Sequence, residues 1–259
     1  EKIKAAGKVP VIQTFGDTWT SQLFVLSDYF NVAAAVPSFA ADYTANKAKY
    51  ATTPAAMAGF QHQADVLKAG YLNPDFAAAK FEDGVKAVAT GKGAQYPMLT
   101  FAVSTVATLA PENLKDVGFF ATPGTDAAKN GVTVWEPAAL YIPASNKDHL
   151  DAAKKFVAFV ASKQGCDSLN KAGGGTGPYL IKGCTLPADV PPAVADLQTY
   201  FNAGDTNSPA LEFLSPVKGP SLEQITVAVG SGITTPADGA AQYDEDVKKQ
   251  AQQLGLAGW

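Results

Sequence analysis

Apolar residues recur every three or four positions in several stretches of the chain, the spacing of a helix with one buried face. The clearest stretch begins at Thr53 and Pro54, a cap residue followed by proline at the first helical position, and Gly70 ends it. Its inner face would consist of Met57, Phe60, Ala64 and Leu67. The pattern therefore predicts an amphipathic helix over residues 54–69.

A second long helix is predicted over residues 146–162 from the same periodicity. Its inward residues would be Leu150, Ala153, Phe156, Val157 and Val160. Three further helices are predicted near residues 191–203, 220–229 and 236–254. Thr235 is placed to cap the last one, with Asp238 as its partner three residues on.

Short runs rich in valine, isoleucine and aromatic residues predict strands between the helices. The predicted strands are residues 9–15, 95–100, 117–121, 132–135 and 138–142. Strands alternate with helices in the first half of the chain, whereas the last part is helical. This order predicts an α/β fold.

Composition narrows the kind of ligand. The chain has 259 residues, of which 47% are hydrophobic and 17% charged, and a net charge of −4. No apolar run reaches the roughly 20 residues that span a bilayer, and the mild acidity argues against a nucleic-acid partner. All 20 basic residues are lysines. Because arginine is the usual bidentate partner of carboxylates and phosphates, its absence favours a neutral ligand, although lysine or a helix N-terminus could also bind an anion.

The first eight residues have the pattern of the end of an amphipathic helix. Gly7 stands at the position of a helix stop, and lysines cluster where the helix dipole favours cations. We therefore expect the natural chain to continue upstream of Glu1, and any targeting segment to lie there.

Two cysteines, Cys166 and Cys184, leave two interpretations open. They could form a disulfide that closes a glycine-rich loop in an oxidising compartment, or they could be two buried thiols. Their spacing does not match a zinc site.

Three segments together resemble type-1 extracellular solute-binding proteins, the sugar-binding components of ABC importers. Residues 81–94 resemble the segment that leads into the family's cleft strand, and residues 117–124 resemble its next strand and proline-containing turn. Residues 138–147, with the Ala-x-x-Phe-x-x-Phe pattern over 153–159, are similar to its crossing strand and following helix. The resemblance covers essentially the whole chain and depends on the order of these segments.

The resemblance implies a two-lobed α/β fold of the periplasmic-binding-protein type II class, with one lobe largely missing at the N-terminus. Residues 1–134 would form lobe II, residues 135–185 a remnant of lobe I with the crossing segments, and residues 186–259 helices that return to lobe II. The implied activity is binding of a neutral mono- or oligosaccharide between the lobes and its delivery to a membrane permease. The protein would be an extracellular, periplasmic or lipid-anchored monomer without a cofactor.

Candidate ligand residues follow from the chemistry of sugars, whose C–H faces stack on aromatic rings and whose hydroxyls need polar partners. Asp17, Trp19 and Thr20 stand at a strand-to-helix turn, where α/β folds bind ligands. Trp135 and Glu136 interrupt a strand at the expected lobe crossing. The resemblance adds a further set near the cleft: Phe101, and Gly174 and Thr176 in the glycine-rich loop. Each has a purely structural alternative, such as helix capping for Asp17, core packing for Trp19 and Phe101, and a flexible linker for the loop.

Two other functional classes are compatible with parts of the sequence. A glycoside hydrolase needs only two carboxylates, and Asp17 with Glu136 could supply them. His62 and His149 have no catalytic context, and neither a Gly-x-Ser-x-Gly elbow nor a phosphate-binding loop occurs. An adhesion or scaffold module without a small ligand is the other alternative. The sequence favours a non-catalytic binding protein.

Overall fold

The computed structural model describes residues 1–135, 139–145, 147–172 and 175–259. The helices are Lys2–Ala5 (α1), Leu23–Leu26 (α2), Tyr29–Ala35 (α3), Phe39–Thr44 (α4), Pro54–Lys68 (α5), Phe81–Ala89 (α6), Ala102–Leu109 (α7), Leu150–Val160 (α8), Lys163–Lys171 (α9), Pro192–Asn202 (α10), Leu211–Leu214 (α11), Leu222–Gly230 (α12) and Pro236–Gln253 (α13). In the same described ranges, 3₁₀ helices span Thr18–Gln22, Pro111–Asp116 and Ala127–Lys129.

The strands found in the described residues are short and pair in parallel. Strand β1 (Val9–Val11) pairs with β2 (Gly93–Gln95), and β3 (Val132–Val134) pairs with β4 (Asn207–Pro209). A Cβ on Gly93 would lie 2.4 Å from the Ile12 side chain, so only glycine lets these two segments approach this closely. The α/β class predicted from the sequence is confirmed. The strands predicted over residues 9–15 and 132–135 contain β1 and β3, whereas β2 ends where the strand predicted over 95–100 begins, and the described residues 139–142 form no strand.

The main core lies among helices from distant parts of the sequence. Phe60 of α5, Val229 of α12 and Tyr243 of α13 are buried in one cluster with residues of α2, α3 and α4. Met57 and Ala64 pack against its margin, as the spacing of apolar residues in α5 predicts. The Thr235 hydroxyl accepts the Asp238 backbone N–H at 3.1 Å, which confirms the predicted cap of α13.

The prediction of a strand over residues 117–121 was wrong. This segment has no strand partner in the described part of the chain, and its N–H groups bond to side chains of α10 instead. The Phe119 N–H donates to Asp196 Oδ2 at 2.9 Å, and the Ala121 N–H donates to the Tyr200 hydroxyl at 3.1 Å. Side-chain acceptors therefore satisfy the backbone where a neighbouring strand was expected.

The predicted inward face of the helix over 146–162 was also wrong in this structure. Within this segment, α8 ends at Val160, and the Ser162 hydroxyl caps the next helix, α9, by accepting the Gly165 N–H at 3.2 Å. No residue of α8 is buried, and Phe156 is 60% exposed. Leu150 and Phe159 are exposed as well, so the apolar side of α8 is only partly covered within the described residues.

Candidate functional site

The shared edge of β1 and β2 brings three separate segments together. Because the strands are parallel, with Val9 opposite Gly93 and Val11 opposite Gln95, their carboxyl ends meet at one edge. Helix α6 runs directly into β2, so its N-terminus lies at the same edge. Residues 16–20, 81–83 and 96–101 therefore converge where α/β folds commonly bind ligands.

Three aromatic rings pack together at this edge and are here called the ring cluster: Trp19, Phe81 and Phe101. The ring centroids are 5.6 Å apart for Trp19 and Phe81, 6.1 Å for Trp19 and Phe101, and 5.4 Å for Phe81 and Phe101. Trp19 and Phe81 are half-buried, whereas Phe101 is 42% exposed. The cluster thus joins two residues predicted from the sequence with a third, Phe81, that the prediction missed.

An open depression of about 440 Å³ lies beside the ring cluster. Its lining consists of Asp17, Trp19, Lys80, Phe81, Glu82 and Asp83. Three carboxylates and one ammonium group give this lining a net negative charge, which disfavours an anionic ligand.

Two of the carboxylates also hold the N-terminus of α6. Asp17 Oδ2 accepts the Phe81 N–H at 2.7 Å, and Asp83 Oδ2 accepts the Lys80 N–H at 2.9 Å. These bonds satisfy N–H groups at the helix start that have no partner within the helix. Asp17 therefore does cap a helix, as its structural alternative predicts. The helix is α6, which begins 64 residues further along the chain.

Beneath the rings, a chain of hydroxyl groups links the two strand ends. Thr14 Oγ1 donates to Thr20 Oγ1 at 3.0 Å, and the Thr20 hydroxyl donates to the carbonyl oxygens of Thr14 and Asp17 at 2.9 and 3.0 Å. Since the Thr14 hydrogen is used, the Tyr96 hydroxyl donates to Thr14 Oγ1. Burial raises the pKa of Tyr96 well above its usual range, which keeps this donor protonated.

The hydroxyl chain changes the interpretation of Thr20. Its side chain is completely buried, at 0% exposure, and its hydroxyl is committed to protein partners. The predicted direct contact between Thr20 and a ligand does not fit this position. Thr20 instead supports the turn that carries Trp19.

The remaining predicted residues lie elsewhere. Trp135 follows β3, is half-buried and packs against the main core; it does not line the depression among the described residues. Thr176 is half-buried in the glycine-rich loop. Glu136 and Gly174 lie outside the described residues, so the pairing of Asp17 with Glu136 is untested.

The place of Phe81 in the sequence does carry a signal for this site. A helix that leads directly into a parallel strand begins at the edge where that strand ends. An aromatic residue at the start of such a helix is therefore expected to lie at the same sheet edge as Trp19 and Phe101.

Cys166 and Cys184 are joined as a disulfide, with their Cα atoms 6.0 Å apart. The bridge connects α9 to the loop after the glycine-rich segment. Near it, the Tyr179 hydroxyl donates to Asn170 Oδ1 at 2.8 Å, and Asn170 Nδ2 donates to the Thr185 carbonyl at 3.0 Å. The disulfide and these bonds fix the loop on α9.

A larger open depression, of about 720 Å³, lies between α12 and α13. Its described lining contains aliphatic and polar side chains but no aromatic ring. Asp246 in this lining is occupied by the Ser221 N–H and hydroxyl, at 2.7 and 3.0 Å. Because its described lining has no aromatic ring, the depression between α12 and α13 lacks the stacking surface found beside Trp19.

The described residues offer neither a metal site nor a membrane-spanning helix. None of their groups of histidine, cysteine and acidic side chains is arranged to hold a metal ion. No helix among them has the length and apolar character needed to cross a membrane.

Comparison with known proteins gives a family and a fold. The profile of the family described as "Bacterial extracellular solute-binding protein" matches residues 1–165. No curated protein sequence matches the chain.

Solved structures match nearly the whole chain. A chitin oligosaccharide binding protein has a TM-score of 0.74 at 19% identity, covering 96% of this chain and 62% of its own. The solute-binding protein RafE in complex with raffinose has a TM-score of 0.69 at 16% identity, covering 98% and 63%. A sugar transporter structure from Bacillus licheniformis in complex with stachyose has a TM-score of 0.60 at 13% identity, covering 96% and 63%.

This chain thus spans less than two thirds of the length of these three structures. The matched portion corresponds to part of a two-lobed solute-binding fold. On the family profile and the fold together, the chain belongs to the bacterial extracellular solute-binding proteins, a family that is generally non-catalytic.

Proposed function

We propose that this protein binds a neutral mono- or oligosaccharide between two lobes and delivers it to the permease of an ABC importer. The observation that carries the proposal is the ring cluster of Trp19, Phe81 and Phe101 beside a depression lined by carboxylates. A sugar needs this combination, because its C–H face stacks on aromatic rings while its hydroxyls donate to acceptors at the margin.

The charges at the depression support an uncharged ligand. Among the described lining residues, Asp17, Glu82 and Asp83 are opposed by Lys80 alone. A phosphorylated or carboxylated sugar would meet net repulsion there. The absence of arginine from the sequence favours the same class of ligand.

The known structures point toward the same chemistry. The matched proteins are described as binding chitin oligosaccharide, raffinose and stachyose. At identities of 13–19% they establish the fold, and they make an oligosaccharide the first ligand class to test on this chain.

We further propose that residues 1–134 and 186–259 belong to lobe II and residues 135–185 to lobe I. The pairing of β3 with β4 and the bonds from residues 119 and 121 to α10 support the return of the C-terminal part to lobe II. The exposed apolar side of α8 is expected of a segment of lobe I, the lobe of which this chain would supply only a part.

Closure of the two lobes around the sugar would be the functional motion, because contacts to both lobes bias the protein toward a closed form. Trp135, Glu136, Gly174 and Thr176 are proposed to meet the ligand from the crossing segments and lobe I. The protein is proposed to act as a monomer outside the cell membrane, in the periplasm or held by a lipid anchor.

Calorimetric titration of the full-length protein with glucose, N-acetylglucosamine, cellotriose, triacetylchitotriose and raffinose tests the function. We expect binding of at least one sugar without turnover. Trp19→Ala should weaken this binding about tenfold, the scale of one aromatic contact. Phe213→Ala is the matched control, because Phe213 is exposed on α11 outside the depression.

Two results would replace the proposal. Hydrolysis of an oligosaccharide would favour a glycoside hydrolase that uses Asp17 and Glu136. No interaction with any sugar would favour an adhesion or scaffold module without a small ligand.

A further inference from the structure

We propose that the ring cluster holds a single sugar ring, so that this edge recognises one monosaccharide unit in ligands of every length. The inference rests on the proposed function and adds the number of units that the cluster recognises.

The shape of the cluster is compact in all directions. Its three centroid distances, 5.4, 5.6 and 6.1 Å, are the sides of a nearly equilateral triangle. A surface that stacks consecutive sugar units needs its aromatic rings in a row, one for each unit. The triangle instead gathers three rings into one patch about the width of a six-membered sugar ring. Trp19 and Phe81 line the depression, and the exposed Phe101 packs against both of them.

The tilt of the rings supports the same conclusion. The ring planes differ by 44° for Trp19 and Phe81, 35° for Trp19 and Phe101, and 40° for Phe81 and Phe101. No two of the rings are therefore coplanar. An extended oligosaccharide could not lie flat on two of them at once. A single puckered pyranose can meet several tilted rings through different C–H groups of the same face.

Polar groups border the patch on the side of α6. Asp17 and Asp83 each use Oδ2 to hold a backbone N–H, and no hydrogen bond among the described residues engages Oδ1 of either. Glu82 is exposed beside them. Carboxylate oxygens at one side of a compact apolar patch suit the hydroxyls around a single ring, since charged acceptors form strong hydrogen bonds.

The test uses the trisaccharide that binds most tightly among cellotriose, triacetylchitotriose and raffinose. Saturation-transfer NMR on the full-length protein identifies which sugar unit receives magnetisation from aromatic protons. Trp19→Ala, Phe81→Ala and Phe101→Ala should each weaken transfer to the same sugar unit and lower affinity about tenfold. The Trp19→Ala/Phe101→Ala pair should lose clearly less than the roughly hundredfold expected of independent contacts.

Where an alanine variant lowers the melting temperature, leucine at that position replaces it, because leucine keeps apolar bulk without a flat face. Phe213→Ala serves again as the control. Effects on different sugar units, or losses that multiply independently, would overturn the single-ring inference while leaving sugar binding intact. Failure of all three trisaccharides and their monosaccharides to bind would overturn the inference together with the proposed function.

Discussion

Asp17 Oδ2 accepts the backbone N–H of Phe81 at 2.7 Å, across 64 residues of sequence. The bond ties the turn that carries Trp19 to the first residue of α6, which carries the second ring of the cluster. Asp17 therefore sets the spacing of two rings in addition to lining the depression.

Removing this carboxylate should loosen α6. We expect Asp17→Ala to lower the free energy of unfolding by about 0.5–2 kcal/mol, the usual cost of losing a helix cap. Asp17→Asn should lose less, since its amide oxygen still accepts the N–H. Urea unfolding measures both, with the exposed Asp116→Ala as control. Equal stability of Asp17→Ala and the wild type would show that the bond does not hold the helix.

Thr20 should matter for stability more than for ligand contact. Thr20→Val keeps the shape of the side chain but removes a buried hydroxyl with three protein partners, so we expect a loss of about 1–3 kcal/mol. Thr20→Ser, which keeps the hydroxyl, should lose less. Sugar affinity of the folded Thr20→Val protein should change less than that of Trp19→Ala. A large loss of affinity at unchanged stability would restore Thr20 as a ligand residue.

The stability of the protein should depend on pH through Asp28. This side chain is 2% exposed, and burial raises its pKa from 3.8 to about 6, against the opposing effects of the Asn31 amide and the His62 charge. The folded carboxyl keeps its proton in a range where the unfolded one has lost it. The free energy of unfolding should therefore fall as pH rises from about 4 to about 6, by up to about 3 kcal/mol.

Asp28→Asn should abolish that part of the pH dependence. Asparagine stays neutral and can still accept the Asn31 Nδ2 hydrogen bond, which is 2.6 Å long in the wild type. The variant should match the wild type near pH 4 and exceed its stability at pH 8, by thermal unfolding. Asp205→Asn removes the same charge at an exposed position and is the control. A variant that retains the wild-type slope between pH 4 and 6 would assign the slope to another group.

The disulfide should contribute measurably to stability. Cys166 and Cys184 are 18 residues apart, and closing a loop of about that length is worth roughly 3 kcal/mol in the chain-entropy account. We expect a reducing agent to lower the melting temperature of the wild type. The Cys166→Ala/Cys184→Ala variant should start lower and show no further change on reduction. A reductant effect of equal size in both proteins would contradict this assignment.

Much of the helical framework follows from local sequence. The spacing of apolar residues predicted α5 and its inner face, and Thr235 with Asp238 predicted the start of α13. These features depend on contacts within one or two turns, which neighbouring residues determine. Residues 117–121 have the composition of a strand, yet their N–H groups bond to Asp196 and Tyr200, more than 75 residues away. A pattern within residues 117–121 cannot predict hydrogen bonds to side chains so far away in the sequence.

The candidate site divides in the same way. Trp19 was predicted from its place at a strand-to-helix turn and Phe101 from the family resemblance. Phe81 joined them only once α6 and the parallel pairing of β1 with β2 were known. Thr20 appeared equivalent to Asp17 in the sequence, since both are polar and flank Trp19. The direction of the turn separates them: one side chain lines the depression and the other is enclosed beneath it.

The sequence by itself determined the α/β class, the family resemblance, the lack of arginine and the aromatic residues available for a sugar. Those properties depend on composition and short-range periodicity. The tertiary structure decided which aromatic rings pack together, which carboxylates line the depression, and that the Thr20 hydroxyl is buried and bonded to protein groups. These features depend on packing between segments that are tens of residues apart in sequence. A buried polar group needs a hydrogen-bond partner, and an aromatic ring needs a neighbour to pack against, from such a distant segment.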